Sequence, residues 1–228
     1  MEQATTPLVS MGEVAPTQPD ASDARAIACA AALFLERGIA GVKMTDIAEA
    51  AGVGVATLYR HFSTKTAIAV EAATLMWDRF NQSITTLVES DAFLAMNGAE
   101  RLEALFGEYC ATYVYHASFV SFLDEFDHLL LADEVDREVL ATYGAKVDSF
   151  YLVFEDAYLL GRQDGSVVRK VDFPVFYRAV AHALMGVATK LVRGEVIPSD
   201  DFSSQQGAVE LACIVEMAIH SLKVAMGE

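Results

Sequence analysis

The sequence predicts an all-α chain, with a three-helix domain at the N-terminal end and a larger helical domain behind it. Three observations carry this. Between Met44 and Phe62 two short runs of helically spaced apolar residues meet at Gly52. The same spacing returns in long stretches from Lys65 onward, and turn-forming clusters such as Gln163-Asp164-Gly165-Ser166 separate those stretches.

Residues 1–20 hold three of the five prolines and show no helical periodicity, so a disordered arm is expected there. The first helix should run from about Ser22, a capping residue, to Arg37, with Gly38 ending it and Ile27, Ala30, Ala31 and Phe34 facing a core. Met44, Ile47, Ala48 and Ala51 mark the second helix. Gly52 ends it, because a left-handed residue there costs glycine no Cβ clash. The third runs from about Val55 to His61, with Val53, Leu58 and Phe62 on the apolar side. Lys65 opens a long helix through Ala67, Val70, Ala73, Leu75 and Phe80 to about Val88, long enough to leave the first core and enter a second.

Further helices are expected at about 99–116, 118–131, 134–161, 173–193 and 203–226. In 134–161 the residues Val135, Val139, Tyr143, Val147, Phe150, Phe154 and Tyr158 form one amphipathic stripe, which stops at Gly161. Pro174 lies in the first turn of the next helix, after a capping Asp172. That helix and the last are apolar around most of their circumference, with Ala179, Ala183 and Gly186 permitting close approach. A helix apolar on more than one face must be covered on more than one face, which predicts a homodimer through 173–193 and 203–226 as a four-helix bundle. The chain thus divides into an arm (1–20), a helix-turn-helix domain (21–68) and a helical domain (69–228).

Two short helices joined by so few residues are the arrangement that places a helix in a DNA major groove. Thr57, Tyr59, Arg60 and His61 lie off the apolar side of the second of them, offering hydroxyls, a guanidinium and an imidazole to phosphate oxygens and base edges. The net charge of −16 is unevenly spread. Residues 1–20 carry three acids and no bases, residues 71–228 carry twenty-five acids against eleven bases, and residues 21–70 carry five bases against four acids. That last segment alone escapes repulsion by a polyanion, and its Arg25, Arg37, Lys43, Arg60 and Lys65 are the available counter-charges.

The stretch from Ala30 to Lys65 resembles the TetR family of bacterial transcriptional repressors: AAALFLERG at Ala30–Gly38, then Gly41, TDIAEAAGV, TLYRHF and a lysine three residues beyond Phe62. Past residue 70 the resemblance is one of length and helical texture. It implies that Thr45 touches the DNA backbone, that Tyr59, His61 and Lys65 hold phosphates, and that Val55, Ala56, Thr57 and Arg60 face bases or backbone. It also implies a small-molecule effector, bound among the middle helices, that shifts the spacing of two DNA-binding modules. The aromatics there, Phe80, Phe106, Tyr109, Tyr113, Phe122, Tyr151, Phe154 and Tyr158, are the candidate ligand contacts. Two departures stand out: Gly54 and Lys43 occupy helix-capping places where the family often has Ser or Thr.

The chain therefore reads as a ligand-responsive transcriptional regulator, foremost a repressor, binding a near-palindromic duplex operator as a dimer and released by an unidentified small molecule. A helical sensing protein without specific operator recognition is the alternative, and the weak caps favour it. No Ser/His/Asp order, HExxH motif or paired-carboxylate spacing supports an enzyme, and no cofactor is expected. Gly52 and Gly54 lack the strand and the Lys-Ser/Thr of a phosphate loop. Asp124 and His128 sit in an acid-rich stretch read as a solvated face, not a metal site. Cys29, Cys110 and Cys213 are widely spaced and read as buried thiols. The first twenty residues lack a basic start and an apolar run, and no eighteen uninterrupted apolar residues occur. A cytoplasmic protein without a membrane partner is expected.

Overall fold

The computed structural model describes residues 21–133, 135, 137–194 and 204–225, so the arm expected at 1–20 lies outside the described residues. These form α1 (Ala21–Arg37), α2 (Met44–Ala51), α3 (Val55–Phe62), α4 (Lys65–Val88), α5 (Asp91–Leu94), α6 (Gly98–Tyr115), α7 (Ala117–Ala132), α8 (Arg137–Asp164), α9 (Phe173–Arg193) and α10 (Ser204–Lys223), with no strand among them. The all-α prediction holds. The one unexpected helix is α5, a single turn whose Ser90 hydroxyl accepts the Phe93 N–H at 3.2 Å.

Helices α1 to α3 close around Phe34, Ile47 and Leu58, each at most 2 % exposed. Gly52 ends α2 in the left-handed conformation, φ 66° and ψ 36°. Gly54 gives α3 no side-chain cap, as expected. At Lys43 the expected weakness is partly offset, because the Asp46 carboxylate reaches back and accepts the Lys43 N–H at 2.9 Å. Thr64 caps α4 by accepting the Ala67 N–H at 3.0 Å.

Helix α4 belongs to both halves: it packs on α1 and also on α6, α7 and α8 of the second core. There Phe80, Phe106, Phe150 and Phe154 interlock, with ring centroids 4.7 Å apart for Phe106–Phe154 and 4.9 Å for Phe80–Phe150. The single tryptophan, Trp77, donates its indole N–H to the Tyr143 hydroxyl at 3.0 Å and packs on Phe80, Phe119 and Phe150.

The N-terminus of α6 abuts the end of α8, capped from both sides. Asn97 and Glu100 exchange hydrogen bonds of 3.0 and 2.9 Å in a capping box, and the Asp164 carboxylate accepts the Gly98 N–H at 2.8 Å. Hydrogen bonds from Ser166 and from the Gly98 N–H hold the Asp164 carboxyl below the usual carboxylate range. A lowered folded value means that the carboxylate stabilises the fold above the unfolded pKa, and that this contribution is lost as pH falls through the folded one. Asp164→Asn is thus expected to lower stability at pH 7 and progressively less below pH 4. Urea titrations at both ends of that range check it, and an unchanged difference would show that the charge is not used.

The last two helices each bury one stripe and expose another. Helix α9 buries Phe173, Val180, Leu184 and Ala188 against its neighbours and leaves Val175, Ala179, Ala183 and Gly186 outside. In α10 the outward residues include Val209, Ala212, Cys213 and Met217. Cys213 was expected to be buried; it is exposed, because it falls on this outer stripe, while Cys29 and Cys110 are half-buried. By length and composition α9 is apolar enough to cross a membrane. Arg178 and His182 stand exposed within it, where a bilayer core would disfavour them.

Candidate nucleic-acid interface

Helix α3 buries Leu58 and Phe62 and turns Val55, Ala56, Tyr59 and Arg60 outward, with Tyr59 50 % exposed and Thr57 half-buried between the two faces. Thr45 stands exposed at the start of α2. Of the expected DNA-facing set, Thr45, Val55, Ala56, Tyr59 and Arg60 are thus exposed, and the leading end of α3 is small and apolar.

The cations are not equally available. Arg25 donates from Nε to the Ala51 carbonyl at 2.7 Å, closing the C-terminus of α2, where a positive charge also favours the helix dipole. Lys65 donates from Nζ to the carbonyls of Ile39 and Val42 at 2.8 and 3.2 Å. Its ammonium thus holds the α1–α2 turn, with a third N–H left over. Arg60 and Lys43 stay exposed at the surface. Arg37 is exposed too, 3.8 Å from the neighbouring Glu36, a contact of little energetic weight.

His61 is tied down from both ring nitrogens. Nδ1 lies 2.9 Å from the Asp23 carboxylate and Nε2 lies 3.4 Å from Nη2 of Arg60. The tautomer protonated on Nδ1 satisfies both contacts, donating to Asp23 and accepting from Arg60. The line Asp23, His61, Arg60 therefore orients the guanidinium at the exposed face. Asp23 was missed in the sequence because it is 38 residues from His61, beyond any periodic signal.

The α1–α2 turn also meets the second domain. Glu125 of α7 accepts the N–H groups of Ile39 and Ala40 at 2.6 and 3.3 Å. Gly38 lies beneath at φ 70°, and a Cβ there would stand 2.5 Å from Glu125 Oε1. Above the turn Phe34 of α1 stacks on Phe122 of α7, with centroids 6.1 Å apart. The acid-rich stretch of α7 was expected to be a solvated face. Two of its acids are instead engaged, since Arg193 of α9 donates from Nη2 and Nε to the two carboxylate oxygens of Asp124 at 2.7 and 3.3 Å. His128 bonds the Asp124 carbonyl at 2.7 Å. Among the described residues no group of three His, Cys, Asp or Glu is placed to hold a metal.

Most of the eight candidate ligand aromatics are packed into one another. Phe106, Tyr109, Phe154 and Phe122 are at most 5 % exposed, and Tyr113 and Tyr158 are also buried. Tyr109 and Tyr177 share a hydroxyl–hydroxyl hydrogen bond of 2.8 Å. Burial pushes the Tyr109 and Tyr113 hydroxyls well above the ordinary phenol range. Tyr151 is half-buried and donates to Glu155 at 2.6 Å. Phe80 differs, because it also lines a cleft of about 280 Å³ between α1, α4, α6 and α7. Sequence reasoning missed the cleft's polar residues, which come from separate helices and share no motif.

A short helix, a left-handed glycine turn and a second helix with an outward face of small residues and an anchored guanidinium define a helix-turn-helix domain. Residues 26–72 match the family described as bacterial regulatory proteins, tetR family. The match is confined to this N-terminal domain, which is thus similar to the DNA-binding domain of that family. It is 35 % identical over 101 residues to the HTH-type transcriptional repressor KstR2 of Mycobacterium tuberculosis, covering 44 % of this chain and 48 % of that protein. The chain thus matches about half the length of that curated relative. The structure of the ketosteroid transcriptional regulator KstR2 of the same organism shares the fold at a TM-score of 0.55 and 22 % identity, over 88 % of this chain and 96 % of that one. AibR, solved with isovaleryl coenzyme A and operator DNA, gives a TM-score of 0.55 at 21 % identity over 84 % and 96 %.

Proposed function

We propose that this protein is a dimeric transcriptional repressor that binds a near-palindromic operator and is released by a small molecule. The observation that carries the reading is the open face of α3, with Arg60 oriented by His61 and Asp23 and with Val55 and Ala56 at its leading end. Thr45, Tyr59 and Thr57 surround it as phosphate and backbone contacts, and small apolar residues suit thymine methyl groups. His61 and Lys65 act mainly by holding other groups in place. The outward stripes of α9 and α10 are the surfaces that meet in the second copy, which supplies the second reading head. The repressor names of KstR2 and the operator-bound AibR agree with this function. It is a binding function without catalysis, carried out in the cytoplasm.

Selection of bound duplexes from a random pool tests it. A palindrome should be enriched, with affinity falling steeply as salt rises, and recovery of no enriched sequence would overturn the repressor reading. On the recovered operator Arg60→Ala should weaken binding and relax base preference, by about 1–3 kcal/mol at the contacted base pair. Lys65→Ala should lower stability as well, because two carbonyls of the α1–α2 turn lose their donor.

A further inference from the structure

The cleft between α1, α4, α6 and α7 is unlike the packed aromatic core beside it. Met76, Phe80 and Phe119 form a buried apolar side, and Arg79, Glu108 and His116 contribute side chains at its open side. Among the described residues none of these three polar side chains has a hydrogen bond or ion pair with another residue. A guanidinium without a partner beside aromatic surface attracts an anion more strongly than one fully in water.

We infer that this cleft is the effector site and that its ligand is a compact apolar monocarboxylic acid. The inference rests on the repressor reading for its consequence, though not for its chemistry. Arg79 takes the carboxylate in a two-pronged contact, with His116 available as a further donor. The hydrocarbon part lies on Met76, Phe80 and Phe119. Glu108 accepts a hydroxyl or amide N–H where the ligand has one, and its charge repels a second acid group, which disfavours dicarboxylates. At about 280 Å³ the cleft is near the small end of ligand sites, roughly 300–1,000 Å³. A short-chain or single-ring acid fits that volume.

The wall of the cleft explains how such a ligand would act. Leu35, from α1, is part of the lining, and it lies one turn before Gly38 and the Glu125 contact. An occupant presses on the end of the helix that carries the DNA-reading domain. The displacement is passed to the turn that Glu125 and Lys65 hold.

Trp77 reports occupancy, because its ring packs edge-on to both Phe80 and Phe119, 5.7 and 5.4 Å between centroids. Full-length protein is titrated with octanoate and 4-phenylbutyrate, and with their primary amides as neutral controls, following tryptophan emission and thermal melting. Both acids should give saturable changes, and the amides should bind about tenfold or more weakly, as expected for loss of a charge-assisted bond. Arg79→Gln should erase the acid–amide difference, while Glu108→Gln keeps it. No response to either acid, equal binding of amide and acid, or undiminished preference in a folded Arg79→Gln protein would overturn the assignment. Operator binding without ligand, measured in parallel, separates the two readings: its failure with acid binding intact overturns the repressor reading alone.

Discussion

Gly98→Ala is expected to destabilise the protein by on the order of 3 kcal/mol, the upper end of overpacking costs. A Cβ at residue 98 would stand 2.0 Å from the Gly161 amide nitrogen, 2.3 Å from its Cα and 2.5 Å from the Ala157 carbonyl oxygen. All three obstacles are backbone atoms of α8, so no rotamer change relieves the clash. Gly107→Ala on the same helix is the control, since nothing lies within 4 Å of its Cβ position. There the usual helix preference for alanine should raise stability by about 0.5–1 kcal/mol. Urea unfolding of the two variants checks both signs. Equal effects would mean that α6 and α8 approach less closely than the structure shows.

Ala183→Arg is expected to give a folded monomer whose operator affinity is about 10²–10⁴-fold lower than that of the parent protein. Ala183 is exposed on the outer stripe of α9, between Ala179 and Gly186, so the substitution leaves the buried stripe of Val180 and Leu184 intact. The loss arises because two reading heads joined in one molecule bind as a unit, whereas separated heads each bind weakly. Sedimentation and a duplex-binding titration on the same preparation check it. A dimer that persists would move the interface away from α9, and a monomer with full affinity would remove the need for one.

Every long helix was legible because apolar residues at three- and four-residue spacing leave a record in the sequence. Lys65–Val88 and Phe173–Arg193 match their expected limits, while α8 is first described as helix from Arg137 against an expected 134. Helix α5 left no such record, since four residues make one turn and show no period. The outward face of α3 was legible too, because Leu58 and Phe62 fix which side is buried. What each cation does was not. Arg25 and Lys65 look like surface charges in a sequence, yet their partners, Ala51, Ile39 and Val42, lie 23 to 26 residues away. Glu125 finds its N–H groups at separations of 85 and 86 residues. Such contacts depend on how helices are stacked, which local periodicity does not encode.

The polar joint between the two halves has a consequence for how this protein can diversify. Glu125 and Lys65 both bind main-chain groups of the 38–42 turn, an N–H pair on one side and a carbonyl pair on the other. Main-chain groups are the same whatever side chains α2 and α3 carry. The outward residues of α3 are therefore free to change without altering the polar fastening of that domain to the rest of the molecule. The attachment and the open face of α3 are chemically separate parts of one small domain, so mutation can alter one while the other is retained.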